Sequence, residues 1–403
     1  MRVDRALFII TNNCTSNKSG MMKILIINTL YAPYQIGGAE VSVQLLAEQL
    51  VGNGHQVKVL CLHADTVSKS DTINSVEVEY LPLKNIYWPF GDEEQGRWKR
   101  LFWHALDSYN PFMAKLVDVE IEKFRPDIVH TNNLTGFSVS IWPLIKRKKI
   151  KLVHTSRDYY LFHPNTTLFK NGKNIDENSF TIKAISFIKK RMSQHIDDFV
   201  GISQFISMFH KKNGFASKAN HSYIYNPINI NSLNVEKQNV IADVISVGFI
   251  GRLSVVKGFD EFCNLARKYK DDPGVVFRAA GRFHNDDEGR DMEALAKSCG
   301  VELLGFVQVN EFMSSVDAVV LPIKWNEPFG RVVLEAALAG KAVFTTFRGG
   351  VTEIAKICPG IYELSNFNMQ AIINHRNHSC DTGLPEDFNV DKVADRYVEV
   401  YRK

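Results

Sequence analysis

Two glutamates, Glu327 and Glu335, bracket a Pro328-Phe329-Gly330 turn in the run W-N-E-P-F-G-R-V-V-L-E-A-A-L-A-G. Glutamates eight apart carry no information by spacing alone. Their context does. The preceding run, Val316 to Ile323, reads as a buried strand, and the residues after Gly330 read as a short apolar helix that stops near Gly340. The acids therefore stand at the carboxyl end of a strand and on the helix that follows, where open α/β sheets bind ligands. The amides at a helix start attract phosphate. A carboxylate on either side suits the hydroxyls of a sugar or a ribose.

A second cluster is cationic. Gly251-Arg252-Leu253 closes a predicted strand, and Lys257-Gly258 follows within a turn. Arginine grips phosphate through two parallel donors and lysine adds a point charge. Together they suit a diphosphate leaving group, whose charge grows as its bond to carbon breaks. Either cation alone reads equally as a surface loop residue. Arg282 ends the next predicted strand and lines the same edge. No D-x-D triplet occurs in the chain, so fixed Arg and Lys are expected to neutralise phosphates without a metal ion.

A third set precedes the first helix. Gly37-Gly38-Ala39-Glu40 opens it with two glycines that let backbone amides approach an anion closely. This is not the dinucleotide fingerprint G-x-G-x-x-G, and a Gly-Gly turn before a helix is often structural. His130, His154, Arg157 and Asp158 lie at or after two further strand ends, where single histidines also occur as satisfied edge residues.

These groups need two sheets to position them. The chain of 403 residues has room for two cores. Strands are expected at Ile24 to Asn28, His55 to Leu62, Pro126 to His130, Lys151 to Thr155 and, as a short last strand, Phe199 to Ile202. Helices are expected at Ala39 to Val51 and Gln204 to Asn213. A second series follows: strands at Val244 to Ile250, Val275 to Ala280, Glu302 to Leu304, Ala318 to Ile323 and Ala342 to Thr346, with a helix over Gly258 to Tyr269. Alternation of this kind means two parallel, doubly wound α/β domains in series, with a ligand cleft between them. Asn226-Pro227 and the polar tract to Gln238 read as the hinge. The last helix, Asn389 to Arg402, carries an apolar stripe at Val390, Val393, Ala394, Tyr397 and Val400. The domain-like pattern starts at Met22. Residues 1–20 read as a disordered extension or as lying upstream of a true start at Met21 or Met22.

Composition is that of a globular protein, with 45% hydrophobic and 23% charged residues. No apolar run approaches a membrane span. The six cysteines form no C-x-x-C pair and no disulfide framework, which points to reduced thiols and a cytoplasmic setting. The net charge of +4 hides an asymmetry: residues 1–225 hold 28 basic and 20 acidic residues, and the remainder 20 and 24. Lys146 to Lys149, Lys189-Lys190-Arg191 and Lys211-Lys212 contribute to the excess. They read as solvated helix ends or as a surface for anionic lipid or a phosphorylated acceptor. No aromatic-basic module supports nucleic acid as a partner.

Taken in order, G-G-A-E, G-R-L…K-G, E-P-F-G…E and Gly349-Gly350-Val351-Thr352-Glu353 resemble the retaining GT-B glycosyltransferases of family four, the glycosyl transferases group one. The resemblance runs from Met22 to the final helix. It implies two Rossmann-like domains facing a central cleft: an acceptor-side domain over 22–225, a nucleotide-sugar domain over 226–385, and residues 386–403 as a helix returning to the first domain. It implies a nucleotide-diphosphate sugar donor, no cofactor, and no metal. By motif position Glu327 would contact the donor sugar and Glu335 the ribose. The Phe329 and Gly330 amides would meet sugar or phosphates. Arg252 and Lys257 would neutralise the diphosphate, with Gly37 and Gly38 approaching from the other wall. The anomeric configuration would be kept, the β-phosphate acting as base, so no protein nucleophile is needed.

The chain departs from the family at Arg157, where members usually carry histidine before the aspartate. Arg157 would offer a permanent cation in place of a group that exchanges protons near neutral pH. The segment Tyr87 to Met113 sets Trp98, Phe102 and Trp103 among Arg97, Lys99 and Arg100. It reads either as a buried insertion helix or as a peripheral contact with anionic membrane. The expected activity is sugar transfer to a glycan or lipid-linked glycan in surface polysaccharide synthesis, as in O-antigen, capsule or exopolysaccharide. Two alternatives stay open: a sugar-nucleotide epimerase of the same fold, and a non-catalytic nucleotide-sugar-binding protein.

Overall fold

The computed structural model describes residues 20–34, 37–91, 95–233, 244–378 and 383–403. Residues 1–19 of the expected extension, the later part of the expected hinge tract, and Cys14 and Cys380 lie outside them.

The first half builds an eight-stranded sheet from β1 (Lys23–Ile27), β2 (Gln56–His63), β3 (Lys69–Ile73), β4 (Val76–Pro82), β5 (Ile128–Thr131) and β6 (Lys151–Ser156). A small hairpin, β7 (Phe169–Lys170) and β8 (Lys173–Asn174), stands apart from the sheet, which β9 (Asp198–Gly201) and β10 (Asn220–Tyr223) complete. The order is β10-β9-β6-β5-β1-β2-β4-β3, parallel except for the β3–β4 ribbon. Its helices are α1 (Gly38–Gly52), α2 (Arg97–Ser108), α3 (Pro111–Phe124), α4 (Ile141–Arg147), α5 (Phe180–Met192) and α6 (Gln204–Lys212).

The second half is a six-stranded parallel sheet. Its strands are β11 (Ile245–Ile250), β12 (Val275–Ala280), β13 (Glu302–Gly305), β14 (Ala318–Leu321), β15 (Ala342–Thr345) and β16 (Ile361–Glu363), in the order β13-β12-β11-β14-β15-β16. Helices α7 (Phe259–Lys268), α8 (Asp287–Ser298), α9 (Val309–Ser314), α10 (Arg331–Leu338), α11 (Val351–Ile357) and α12 (Met369–His378) follow or cover its strands. The last helix is α13 (Val390–Arg402). Among the described residues no helix is long and apolar enough to cross a membrane.

Both sheets and the alternation match the sequence expectation. The last expected strand of the first domain is not the last: β10 pairs beyond β9. Its sequence, N-H-S-Y, is too polar to announce a strand. The β3–β4 ribbon was also unforeseen, since K-S-D-T-I is an exposed edge with little apolar signal.

The end of the chain returns to the first domain. Val393, Ala394, Tyr397, Val400 and Tyr401 bury themselves with Ile24, Ile26, Val43 and Leu46. The tyrosines serve a polar need as well. The Tyr401 hydroxyl meets Nδ1 of buried His130 at 2.7 Å, Thr155 meets Nε2 at 2.8 Å, and Tyr397 reaches Thr155. His130 is thus a core residue that docks a helix. His154 and His210 are buried too: burial lowers their pKa values to about 3 and about 4.

A buried neutral histidine sets a pH dependence. His210 titrates near 6.5 in the unfolded chain and at about 4 in the fold. Its contribution is therefore complete above pH 6.5 and lost as pH falls toward 4. The stability advantage of wild type over His210→Gln should shrink below pH 6.5 by up to about 1.4 kcal/mol per pH unit. Urea unfolding of both proteins between pH 7.5 and 4.5 checks this; a constant gap would refute it.

Candidate functional site

Three strand ends of the second sheet converge. β11 runs into Gly251-Arg252, β12 into Gly281-Arg282, and β14 into the turn that starts α10. β11 and β14 are neighbours, and the strand order changes direction between them, so a crevice opens at their carboxyl ends. Lys257 ends the short turn Val255–Lys257 after β11. From the far side of the crevice, Glu327 meets it: Nζ stands 2.6 Å from Oε2. The Trp325 indole donates to the same oxygen at 2.8 Å, and the ammonium lies 4.9 Å over the indole ring. Arg252 and Arg282 are exposed on the adjoining strand ends. Arg282 lies 4.8 Å over the Phe306 ring.

The turn is rigid. The Phe329 side chain is buried against Tyr225 and Phe388, so only its backbone can face a ligand. Gly349 and Gly350 press on the turn from behind. A Cβ on Gly349 would fall 2.2 Å from the Glu327 carbonyl oxygen, and one on Gly350 2.5 Å from that of Pro328. The Gly350 amide donates to the Glu327 carbonyl at 2.8 Å. Nothing larger than glycine lets these segments approach so closely.

Glu335 lies one turn into α10 and is 7% exposed. Burial raises the pKa of its carboxyl, and the Arg331 guanidinium beside it opposes the rise. Arg331 Nε donates to Glu335 Oε1 at 2.7 Å, while Nη1 crosses to the first domain, reaching Ser42 at 3.0 Å and the Pro227 carbonyl at 3.3 Å. That crossing places the arginine stem against α1: a Cβ on Gly38 would meet Arg331 Cδ at 2.7 Å. The Gly37 amide donates to Glu40 at 2.9 Å. In this state the two glycines accommodate Arg331 and the capping glutamate.

Arg157 is buried. Its Nε donates to Asn132 at 3.0 Å and its Nη1 to Asn226, in the linker, at 2.6 Å. It lines a cavity of ≈ 10 Å³ with Asn132, His154, Ser156 and Asp158, about the room of one water. The amide nitrogen of Asn132 is buried there with no hydrogen-bond partner. Burial raises the Asp158 pKa to about 6.

The structure thus brings Lys257 and Glu327 into contact, sets Arg252 and Arg282 on the same sheet edge, and places Arg157 at the linker. Arg331, Ser203 and Glu353 join the two domains here, and sequence reasoning assigned them no role. Only the place of Glu353 in G-G-V-T-E hinted at one. Elsewhere on the first domain, Trp103 follows the buried-helix reading of its segment, and the reading of Lys189 is corrected. Trp103 is not part of an exposed patch: it is 2% exposed, and its indole donates to the Tyr87 carbonyl. Lys189 is not a solvated helix end. It lies 3.4 Å over the Tyr160 ring, and burial lowers its pKa to about 8.

A crevice with cations on one strand end, a held carboxylate opposite and two helix starts nearby is suited to an anionic, hydroxyl-rich ligand. Comparison with known proteins agrees. Residues 36–232 match Glycosyltransferase Family 4 and residues 233–357 match Glycosyl transferases group 1. A Klebsiella pneumoniae protein described as an uncharacterized 42.6 kDa protein in the cps region is 43% identical over 94% of this chain and 100% of its own length. An uncharacterized glycosyltransferase of Methanocaldococcus jannaschii is 26% identical over 83% of each chain. Among solved structures, sucrose-phosphate synthase from Thermosynechococcus elongatus aligns with a TM-score of 0.70 at 18% identity, covering 94% of this chain and 98% of that one. Anabaena HepE, solved with UDP and glucose, aligns with a TM-score of 0.66 at 18% identity, covering 94% and 99%. The chain belongs to the GT-B glycosyltransferases, in the family of Glycosyltransferase Family 4 and Glycosyl transferases group 1.

Proposed function

We propose that the chain is a retaining, hexosyl-type glycosyltransferase that needs no metal ion. It moves a sugar from a nucleotide-diphosphate sugar to a glycan or lipid-linked glycan acceptor during surface polysaccharide synthesis, at the inner face of the cytoplasmic membrane. The observation that carries this reading is the Lys257–Glu327 pair at the switch point beside the start of α10. A donor entering there exchanges that pair for its own contacts. Lys257 and Arg252 take the diphosphate and stabilise the charge that grows as it leaves. Glu327 takes sugar hydroxyls, with Trp325 fixing its orientation. Arg282 stands beside the nucleotide, and Glu335 receives the ribose after shifting its bond with Arg331. The β-phosphate accepts the acceptor's proton. The cps-region relative supports the polysaccharide setting, and HepE solved with UDP-glucose supports the donor class.

UDP and UDP-glucose serve as probes. UDP at one hundred times its dissociation constant should stabilise the wild type by about 2.7 kcal/mol, read as a rise in melting temperature. Lys257→Ala should lose most of that rise. Glu327→Ala should keep the UDP response, yet lose about 100-fold or more in turnover of UDP-glucose or whichever nucleotide sugar of a panel the wild type consumes. Persisting transfer in Glu327→Ala would remove this assignment. A wild type that binds every nucleotide sugar and consumes none would be a binding protein. One that converts a nucleotide sugar without acceptor would be an epimerase.

Membrane contact belongs to the same proposal. On α2, Trp98, Leu101 and Phe102 are exposed at helical spacing beside exposed Arg97, Lys99 and Arg100. On α5, Phe180, Phe187 and Ile188 are exposed near Lys190 and Arg191. Such a face suits the headgroup region of an anionic bilayer, each cation adding about 1 kcal/mol. The protein should sediment with phosphatidylglycerol vesicles and not with phosphatidylcholine vesicles. Trp98→Ser with Phe102→Ser should abolish this without changing the UDP response. Equal sedimentation of wild type and double variant would end the membrane reading.

A further inference from the structure

Glu353 sits on α11, in the second domain, and its carboxylate leaves that domain. Oε2 accepts from the Gln204 amide at 2.8 Å and Oε1 from the Phe205 amide at 2.7 Å. These are the first two amides of α6, in the first domain. The Tyr225 hydroxyl, in the linker, donates to Oε2 at 3.1 Å. A carboxylate on two helix-start amides is a charge-assisted cap aligned with the helix dipole. Here the cap comes from the opposite domain.

The same helix start reaches the Glu327 turn. Ser203, the N-cap of α6, accepts from the Ile206 amide, and its hydroxyl donates to the Pro328 carbonyl at 2.6 Å. The Glu327-Pro328 backbone is therefore held by segments of both domains. Gly349-Gly350 packs against it, one turn before Glu353 in the same helix-turn segment, and Ser203 bonds the Pro328 carbonyl. Glu353 closes the loop by pinning α6, and with it Ser203, to α11.

We propose that Glu353 is a positioning residue for sugar transfer: it fixes the first domain's α6 against the Glu327 turn, so that Glu327 keeps its place when the donor breaks the bond to Lys257. This rests on the glycosyl-transfer reading above. Glu353 touches no reacting atom. Its effect passes through α6 and Ser203 to Pro328. A displaced carboxylate costs rate in the transition state more than it costs donor binding, because the diphosphate contacts lie on other strand ends.

The test uses the full chain. In Glu353→Ala, hydrogen exchange should rise about tenfold or more at Gln204, Phe205 and residues 327–331, with β1 and β11 unchanged. Glu353→Gln keeps the shape and one acceptor oxygen and should fall between. In UDP-glucose turnover, kcat should drop about 10- to 100-fold with the donor KM within about threefold, and Glu353→Gln should recover part of it. Ser203→Ala should reproduce the exchange change at 327–331 while leaving Gln204 protected. Faster exchange confined to Gln204 and Phe205 with kcat unaltered would make Glu353 a mere helix cap and overturn the proposal. A wild type that never consumes UDP-glucose, with exchange at 327–331 responding as stated, counts against the transfer reading for that donor and leaves the tether standing.

Discussion

The half-buried contact between Lys257 and Glu327 is the point on which the rest of the cleft depends. A partly exposed pair of this kind adds only about 0–1 kcal/mol to stability. Its value is positional. Lys257 arrives from the turn after β11, and Glu327 from the turn after β14. The two strands lie side by side in register through Val247–Ala318 and Gly248–Val319. A slip of that pairing would separate the cation from the acid. Gly248 keeps the register tight on its far face, where a Cβ would meet the Phe312 ring at 2.6 Å. The crevice is therefore a property of the sheet, and its chemistry follows from which side chains leave the two strand ends.

The sheets were legible because buried parallel strands are near-continuous apolar runs, as in Val316 to Ile323 and Val275 to Ala280. The motif residues were legible because glycines and charges at strand ends stand out against such runs. What escaped was the set of polar side-chain contacts that the docking of the two domains creates. Arg331 follows Gly330 at a helix start, and nothing in its neighbours says that it reaches Ser42, 289 residues away. Ser203 reads as an ordinary N-cap, and its second bond, to Pro328, spans 125 residues. Periodicity reports which face of a helix is buried but not what covers it. Trp103 shows the same limit. It shares a short aromatic run with Trp98 and Phe102, and only the fold turns it inward toward Tyr87 while they point outward.

The linker draws these strands of argument together. Tyr225 donates to Glu353, Asn226 accepts from Arg157, and the Pro227 carbonyl accepts from Arg331. Three consecutive residues are each held by a different charged side chain, two from the second domain and one from the first. Arg157 bonds the side-chain amide oxygens of Asn132 and Asn226, and Arg331 bonds the Glu335 carboxylate together with the Ser42 hydroxyl and the Pro227 carbonyl. Neutral acceptors satisfy the N–H groups of a guanidinium without cancelling its charge. Glu335 offsets the charge of Arg331, and Glu40 and Asp158 act on Arg157 through space, so the cations at the linker are partly balanced by acids around them. A diphosphate would compete with the Pro227 carbonyl and the Ser42 hydroxyl for Arg331, because a charged acceptor outbids neutral ones for the same donors. On the glycosyl-transfer reading, that competition would link donor binding to the contact between the domains. Arg157, at the position where the family usually carries histidine, holds the linker through Asn226 and the first domain through Asn132.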